Sequence, residues 1–521
     1  MKHIKRSLIT SSCAALAASG FLWGWLWPVS LAGLTLSLWL LGKSDKLSRK
    51  AFLLQCMLYG YIYLGLTLNW IYGINTTDLI ADTFFAFLFL GLSFLLMVGF
   101  LAIGFVLLGY LYRKLKVSTN DSSILLIPLL WALCEWFRSV FFSVMAMGSG
   151  GSVGPFWNFG SLGFLAGETP LGYASRITGL YGTSFLVMLL AVVIYKMYQK
   201  QYRYTYLALV PLVFSLTGWG LYRGDSQSTI NAGTVSVQAD IDDGYQDTLD
   251  NQLKRKSNTP VDALVMPEYS YYFVDSGGKD TGRKLPVDIP LVIDSRSKRQ
   301  NERIENMVSY NQSDGSVLQQ YQKNFLIPGG EYIPYFYEAI LYYSGNHNII
   351  RSFETDKAVR PSRSQELPYT YRGVTYGALA CSGAIAPELY RGLAHKGAEV
   401  LTNSASISTL GVSDAYYGQA EQMSKFIAMA NAKPFVQSAR GGPSYIMNKD
   451  GQILARTIHP DQAAIAATSI ARSQHNTIYS RFGEWILWLS VIVVMVLLVH
   501  KQKINRKKHH AKSNKQKENR K

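Results

Sequence analysis

Long apolar runs separated by short polar connectors fill the first 222 residues, and one more run lies near the C-terminus. They cover residues 7–25, 28–42, 51–73, 83–112, 123–146, 178–198, 204–222 and 482–500. A transmembrane helix needs about 20 apolar residues, so this pattern predicts about eight membrane spans. The run 83–112 exceeds that length. It is interpreted as one tilted helix, because a broken pair would put basic connectors on both sides of the bilayer.

The charge of the connectors predicts how the chain is oriented. Connectors 43–50, 113–122 and 196–203 are basic, as are both termini, whereas connector 74–82 carries two aspartates. Basic connectors stay in the cytoplasm, so both termini are expected there and residues 223–480 are expected outside it. The net charge of +17 does not indicate a nucleic-acid partner, because the excess flanks membrane spans and no base-reading motif accompanies it.

The predicted domain organisation follows from these runs. Residues 1–222 form a membrane domain of seven spans, residues 223–480 a periplasmic domain, residues 481–500 the eighth span, and residues 501–521 a basic cytoplasmic tail. The long polar block between the last two spans is large enough to build a core of its own.

Short apolar runs bounded by turn residues predict the structure of this block. Strands are expected at Thr234–Ala239, Ala263–Met266, Pro290–Asp294, Val374–Ala380, Val400–Asn403 and Ala463–Thr468. Aspartate-glycine turns predict hairpins over residues 308–321 and 444–455, and the pattern over residues 417–432 is helical. Strands mixed with helices predict a layered α/β or α+β domain.

One cysteine stands apart from the other three. Cys13, Cys56 and Cys134 fall in the predicted spans, so Cys381 is the sole thiol of the polar block and has no disulfide partner within it. It ends the apolar run 374–380, just before a turn into an expected helix. A thiol there is either a buried core residue or a reactive nucleophile beside the amides of a helix N-terminus. No CxxC or HExxH pattern is present, so no metal site is expected.

Three further polar residues are candidates for a base and an oxyanion donor, which a cysteine nucleophile needs. Glu268 follows the predicted strand 263–266, Lys323 follows the first hairpin, and Glu331 follows two glycines. Taken singly, each has a structural alternative. Glu268 caps a helix, Lys323 is a solvated turn residue, or Glu331 pairs with a surface arginine.

The order glutamate, lysine, cysteine, each at the end of a strand, resembles the nitrilase superfamily, whose αββα sandwich carries a Glu-Lys-Cys triad. The stretch 321–334 matches that superfamily's lysine segment, and Pro267-Glu268 matches its glutamate segment. A nitrilase domain inserted between a seventh and an eighth span is similar to the apolipoprotein N-acyltransferase family of the bacterial inner membrane. The stretches 128–138 and 178–185 resemble that family's membrane signature.

The chain departs from the family's pattern beside the cysteine. The family usually continues with a tyrosine and a glutamate, whereas this chain has Ser382 and Gly383. The segment 403–411 also lacks the family's usual aromatic pair. These departures predict a divergent member with an intact triad but without one acidic group and two lipid-facing aromatic residues.

The resemblance implies a two-step acyl transfer. Cys381 would be the nucleophile, Glu268 the general base and Lys323 the oxyanion donor, with Glu331 and Ser382 in support. The donor would be a membrane phospholipid and the acceptor the N-terminal amine of a diacylated apolipoprotein, through a thioester. No cofactor or nucleic acid is expected, and the protein is expected to be a monomer in contact with membrane lipids. The loop 148–165 is expected either to dip toward the lipid entrance or to pack on neighbouring helices.

Two other functions compete with this one. The first is a membrane-tethered, nitrilase-like amidase or hydrolase that uses water as the second acceptor. The second is a non-catalytic homologue that binds lipoproteins or lipids. The departures beside the cysteine support the second alternative, and the intact set of Glu268, Lys323 and Cys381 opposes it.

Overall fold

The structure is a computed structural model of the whole chain. It describes residues 2–44, 46–74, 83–224, 228–239, 244–255, 260–300, 303–362, 364–410, 413–457 and 463–518. Most of the acidic connector 74–82, Gly411 in the segment after the cysteine, and the last three residues of the basic tail lie outside the described residues.

The first 222 residues form a bundle of helices, one for each predicted apolar run. Its helices are α1 (Lys2–Leu22), α2 (Trp27–Gly42), α3 (Arg49–Thr67), α4 (Thr83–Leu115), α5 (Leu126–Met145), α6 (Ser175–Tyr198) and α7 (Leu209–Leu221). Pro28 occupies the first turn of α2, where the missing amide hydrogen costs nothing. Helix α4 is unbroken, so the long run 83–112 is one helix, as predicted.

The polar block alternates strands and helices. Its strands are β1 (Thr229–Val237), β2 (Ala263–Glu268), β3 (Leu291–Gln300), β4 (Arg303–Asn311), β5 (Val317–Gln322), β6 (Tyr369–Tyr371), β7 (Val374–Ala380), β8 (Val400–Ser406), β9 (Phe435–Arg440), β10 (Tyr445–Met447), β11 (Ile453–Arg456) and β12 (Ala464–Ala471). Its helices are α8 (Tyr245–Arg255), α9 (Tyr335–Tyr343), α10 (His347–Asp356), α11 (Pro387–His395), α12 (Asp414–Asn431) and α13 (Ile478–Phe482), and α14 (Trp485–Glu518) returns to the bundle.

Six segments of the described chain are long and apolar enough to cross a membrane. Helices α1 and α3 are not among them, so the predicted total of eight spans is not confirmed. Each of these helices packs one face in the bundle, where Ala14 and Ala17 of α1 and Tyr63 and Leu64 of α3 are fully buried. Small residues such as the two alanines let helices pack closely in a membrane.

Helix α6 is broken at Gly179, inside the predicted signature 178–185. This glycine has a φ of +69°, and a Cβ there would lie 2.6 Å from a carboxylate oxygen of Glu484. The carboxylate accepts hydrogen bonds from the amides of Leu180 (2.7 Å) and Tyr181 (3.1 Å). Only glycine allows this approach, so the motif lets the residue before α14 cap the second half of α6.

The strands of the described chain form one sheet that folds on itself. Its order is β5-β4-β3-β2-β1-β9-β8-β7-β6, with β10 beside β9, β11 beside β10, and β12 beside β1. The neighbours β1–β2, β2–β3, β1–β9, β8–β9 and β7–β8 are parallel, and both predicted hairpins, β4–β5 and β10–β11, are present and antiparallel. Parallel strands put their carboxyl ends at one edge, which sets the position of the site.

The two halves of this sheet face each other across an apolar core. Residues such as Val265 and Ile293 from one half share this core with Ala378 and Val400 from the other. Helix α8 packs on the outside of the first half, and helices α11 and α12 pack on the outside of the second. The result is the αββα sandwich that the sequence predicted.

Helix α12 seats the sandwich on the bundle. The amide of Gln419 donates to the carbonyls of Phe21 (3.1 Å) and Thr67 (2.7 Å), and that of Gln422 donates to the carbonyl of Gly20 (2.8 Å). These carbonyls lie at the C-terminal ends of α1 and α3. Buried amide groups need such partners, so the contact fixes which end of the bundle carries the sandwich.

Candidate active site

Three strand ends bring the predicted glutamate, lysine and cysteine together. Glu268 is the last residue of β2, Lys323 immediately follows β5, and Cys381 immediately follows β7. Glu268 and Lys323 are only 2% and 4% exposed. Lysine Nζ lies 3.3 Å from a carboxylate oxygen of Glu268. Buried charges need partners of opposite sign, so this pair is an ion pair of the interior and neither a helix cap nor a solvated turn.

Glu331 completes the charge cluster. Its Oε1 lies 2.9 Å from Nζ of Lys323 and accepts a 2.6 Å hydrogen bond from the side-chain amide of Asn306. Its Oε2 accepts from the backbone amide of Ile327 at 2.8 Å. The alternative of a surface ion pair is therefore wrong, because this carboxylate holds Lys323 from inside the domain.

Asn306 on β4 is the residue that sequence reasoning missed. Its amide nitrogen bonds both Glu331 and the hydroxyl of Tyr269 (2.6 Å), and its carbonyl oxygen accepts from Ser297 at 2.9 Å. These contacts fix the orientation of Glu331 and hence of Lys323. No local signal marks Asn306, since its role arises only when β4 pairs with β3 and lies beside the end of β2.

The backbone at Cys381 is unusual for a residue with a side chain. Its φ of +43° lies in the left-handed region, and it opens a single 3₁₀ turn, Cys381–Ile385. The thiol donates to the carbonyl of Ser406 at 3.4 Å. Such strained positions cluster at active sites. The turn places the half-buried Cys381 at the sheet edge, at the start of the 3₁₀ turn.

Burial and neighbouring charges shift the pKa values of Lys323, Glu268 and Cys381. Burial alone would lower the pKa of Lys323, but the carboxylates of Glu268 and Glu331 outweigh it and raise that pKa well above its ordinary value. Burial raises the pKa of Glu268, and Lys323 opposes this rise in part. Burial, followed by the charge of Glu268, raises the pKa of the Cys381 thiol. At neutral pH the lysine is an ammonium and the cysteine rests as a thiol, so a base must take its proton.

Ser382 and Gly383 serve the turn and its packing. The hydroxyl of Ser382 is buried and donates to the carbonyl of Phe325 at 2.6 Å. A Cβ at Gly383 would lie 2.7 Å from the Cβ of Leu379, so this turn has no space for a longer side chain. Ser382 therefore links the turn of Cys381 to the strand end that carries Lys323.

Aromatic residues approach the site from other parts of the chain than the segment 403–411. Trp70 of the bundle packs on Tyr416 of α12 with ring centroids 4.8 Å apart. Tyr416 packs against a small cluster that includes Ile407, the neighbour of Ser406, whose carbonyl bonds the Cys381 thiol. Aromatic side chains from two distant parts of the chain thus lie next to the segment 403–410, and no local sequence pattern connects them.

The aromatic loop 148–165 packs inward. Trp157, Phe159 and Phe164 are buried, and Trp157 contacts Phe325 with centroids 5.0 Å apart. Of the two expectations for this loop, packing on neighbouring elements is confirmed for these three side chains. Through Phe325, the loop supports the same strand end that Ser382 holds.

A polytopic bundle joined to a sandwich that gathers a glutamate, a lysine and a cysteine defines a membrane-bound protein of the carbon-nitrogen hydrolase class. Residues 286–478 match the carbon-nitrogen hydrolase family model, and residues 11–193 match the model of the apolipoprotein N-acyltransferase N-terminal domain. The chain belongs to the apolipoprotein N-acyltransferase family, as a divergent member.

Curated relatives support this assignment at low identity. The apolipoprotein N-acyltransferase of Geobacter metallireducens is 25% identical over 71% of this chain and 72% of its own. Those of Bdellovibrio bacteriovorus and Neisseria meningitidis serogroup B are 23% and 22% identical, over 65% and 76% of this chain and 68% and 78% of their own. A solved carbon-nitrogen hydrolase from Helicobacter pylori is similar with a TM-score of 0.34 and 19% identity, covering 50% of this chain and 94% of that one.

Proposed function

We propose that this protein transfers an acyl chain from a membrane phospholipid to the N-terminal amine of diacylated apolipoproteins, through a thioester on Cys381. The observation that carries the proposal is the gathering of Glu268, Lys323 and Cys381 at strand ends that contact the bundle. The turn of Cys381 bonds Phe325, and Phe325 packs on Trp157 of the bundle loop. A site in this position suits two substrates that are both anchored in the bilayer.

In the first half-reaction, Glu268 takes the thiol proton of Cys381 and the sulfur attacks the ester carbonyl of the phospholipid. The oxyanion of the tetrahedral intermediate faces the ammonium of Lys323 and the backbone amide after the cysteine. The ester C–O bond then breaks. The glycerol oxygen takes the proton from Glu268, and a lysophospholipid leaves the acyl thioester behind.

In the second half-reaction, the α-amine of the apolipoprotein attacks the thioester carbonyl, and Glu268 takes a proton from the amine. The C–S bond breaks, the amide forms and the sulfur regains a proton. Lys323 keeps its charge throughout, because two carboxylates raise its pKa. Glu331 acts through Lys323, which it holds in place.

The proposed arrangement in the bacterial inner membrane follows the charge pattern. Residues 1–222 would be the membrane domain, 223–480 the periplasmic catalytic domain, 481–500 the last span and 501–521 a cytoplasmic tail. Supporting this, Arg6 and Arg113 both bond backbone carbonyls of the basic connector 43–50, so basic residues of α1 and α4 gather at the bundle end remote from the sandwich. The basic side would be cytoplasmic.

The test is a two-stage acyl transfer with the purified full-length protein in nanodiscs. Phosphatidylethanolamine with a labelled sn-1 chain is added first, and acyl-enzyme is measured by intact mass spectrometry. A diacylglyceryl-cysteine peptide is then added, and the labelled triacyl peptide is measured. We expect the label to stay on the enzyme until the peptide is added, and Cys381→Ala to show neither signal.

The alternatives give different results in the same assay. A hydrolase would release labelled fatty acid without the peptide, and a non-catalytic homologue would acquire no label at all. Complementation of a conditional strain that lacks its own enzyme, with Cys381→Ala as control, tests the activity in cells. Label on the Cys381→Ala protein would overturn the assignment of the nucleophile.

A further inference from the structure

A cavity of about 90 Å³, open on one side, lies in the helix bundle away from the candidate active site. Apolar side chains from α2, α3, α4 and α6 line it, among them Leu38, Leu41, Phe52, Leu108 and Met188. Because most of its lining is apolar, water gains few hydrogen bonds there. A cavity of this kind in a membrane bundle suits a segment of a hydrocarbon chain.

The cavity lies at the end of the bundle opposite the sandwich. It is lined by Thr10 near the start of α1, by Ser44 just after α2 and by Gln55 in the first half of α3. The sandwich, in contrast, binds the far ends of α1 and α3, at Phe21 and Thr67. The cavity therefore belongs to the other leaflet of the bilayer and is separate from the proposed acyl-transfer site.

Two arginines flank the polar mouth of this cavity. Arg6 donates from Nε to Gln55 (2.9 Å) and from Nη1 to the carbonyl of Lys43 (3.1 Å). Arg113 donates from Nη2 to the carbonyl of Ser44 at 3.1 Å. Both guanidinium groups therefore bond the backbone at residues 43 and 44, and Ser44 belongs to the cavity lining.

Polar atoms at this mouth lack partners in the described part of the chain. Nη2 of Arg6 and the hydroxyl of Ser44 are both buried there without a hydrogen bond, although buried polar groups are nearly always bonded. An unpartnered guanidinium nitrogen and a neighbouring hydroxyl match the acceptor oxygens of a phosphate.

We propose that this cavity binds an anionic glycerophospholipid of the leaflet remote from the sandwich. A segment of one acyl chain occupies the apolar cavity, the rest of the chain stays in the bilayer, and the phosphate accepts from Arg6 and Ser44. Basic pockets between transmembrane helices bind such head groups, and the bilayer supplies the ligand directly. The bound lipid would contact α1, α2 and α3 and so stabilise this end of the bundle. It would not take part in acyl transfer.

The experiment measures lipid retention by the full-length protein. Nanodiscs of phosphatidylethanolamine with about one tenth phosphatidylglycerol provide the lipids, and native mass spectrometry after release counts those that stay bound. A diazirine on the acyl chain of the phosphatidylglycerol maps its position by crosslinking. We expect one retained phosphatidylglycerol, with crosslinks at residues 38–41 and 105–108.

Matched variants test the head-group and chain contacts separately. Arg6→Gln should weaken retention about tenfold or more, as expected for losing a charge-assisted contact, whereas Lys5→Gln, exposed on the same helix, should not. Leu108→Trp should fill the cavity and abolish the crosslinks, whereas Leu107→Trp, outside the lining, should retain them. Thermal unfolding without added lipid checks that each variant is folded.

Several outcomes would overturn the proposal. Equal retention of phosphatidylethanolamine would show that charge does not select the ligand. Retention of added palmitate in place of phosphatidylglycerol would show that the site binds a free fatty acid. Unchanged retention by Arg6→Gln together with Leu108→Trp, or crosslinks confined to the outer surface of α4 or α7, would show binding elsewhere.

Discussion

The protein buries charged side chains in two regions, and the two clusters are built differently. In the sandwich, Lys323 lies between Glu268 and Glu331. In the bundle, Glu135 and Arg138 of α5 are each 1% exposed. Glu135 accepts from the amide of Leu162 at 2.8 Å, and Arg138 donates to the carbonyl of Phe159 at 2.6 Å.

The difference lies in what the charges bond. In the bundle, Glu135 and Arg138 bond backbone groups of the loop 148–165 and fix its position. Buried charges in membranes commonly pair with backbone groups in this way. Those of the sandwich neutralise one another beside a cysteine with strained backbone. Buried charge alone therefore does not mark a catalytic site; a nucleophile within reach of it does. The following predictions test this distinction, from the largest expected effect to the smallest.

Replacing the nucleophile should have the largest effect. Cys381→Ala removes the proposed nucleophilic sulfur, so acyl-enzyme and transfer should fall to background. Intact mass spectrometry with labelled phospholipid measures both. Cys13→Ala, in the bundle, should form acyl-enzyme at the normal rate. A labelled Cys381→Ala protein would contradict the comparison, since reactivity would then not depend on this cysteine.

Removing the central cation should be nearly as severe. Lys323→Met deletes the proposed oxyanion donor, and the rate of acyl-enzyme formation should fall about 10²–10³-fold. Single-turnover kinetics give the rate, and Lys396→Met, exposed in the same domain, should be unaffected. A loss below tenfold would show that Lys323 only neutralises Glu268 and Glu331 and does not stabilise the oxyanion.

The pH dependence should separate the roles within the sandwich cluster. Glu268 must be ionised to act as a base, and burial raises its pKa above the ordinary 4.5. The rate should therefore fall about tenfold per pH unit as the pH drops below that raised pKa. Because the pKa of Lys323 is raised above its ordinary value of 10.5, deprotonation of this lysine should not lower the rate at any pH below 10.5. Rates of acyl-enzyme formation across pH measure this, and an acid limb at or below 4.5 would contradict it.

Removing the bundle cation should have a smaller effect on chemistry. Arg138→Met leaves the carbonyl of Phe159 without its donor, which should destabilise the protein by about 1–3 kcal/mol. The acyl-enzyme rate should change less than tenfold. Thermal unfolding and single-turnover kinetics measure the two effects, and Arg203→Met, exposed near α7, is the control. If Arg138→Met lowered the acyl-enzyme rate as much as Lys323→Met, the two clusters would not differ in their effect on catalysis.

The smallest expected effect concerns the turn after the nucleophile. Ser382→Ala removes the bond to Phe325, and stability should fall by about 0.5–1.5 kcal/mol, with a rate loss of a few fold. Ser404→Ala is a matched control, because its buried hydroxyl has no bond within the described chain. Complete loss of acyl-enzyme in Ser382→Ala would mean that Ser382 takes part in the chemistry.

The sequence predicted elements best where the apolar pattern was local. Strand β7 has the predicted limits, because its run is bounded by turns at both ends. Strand β9 was missed because Gln437 and Ser438 interrupt its pattern. Both are buried there: the carbonyl of Gln437 accepts from Thr234, and the hydroxyl of Ser438 donates to the carbonyl of Val235. Polar residues that form hydrogen bonds with neighbouring strands can lie inside a buried strand. A hydropathy pattern does not detect such a strand.

The candidate site was predictable only in part from local pattern. Taken singly, Glu268, Lys323 and Cys381 each had a structural alternative, and the resemblance to the nitrilase superfamily singled them out as a set. Asn306, Trp70 and Tyr416 carry no such mark, since their roles depend on contacts between strands or between the bundle and α12. Tertiary packing, and not local pattern, selects them.

The seat of the sandwich on the bundle has a consequence for divergence. Gln419 and Gln422 bond main-chain carbonyls of α1 and α3, and Arg176 of the bundle bonds the carbonyls of Met429 and Lys449. Because every residue type presents the same carbonyl, the acceptor side of this joint tolerates substitution. The sandwich and the bundle can thus accumulate substitutions at different rates while the contact between them is preserved.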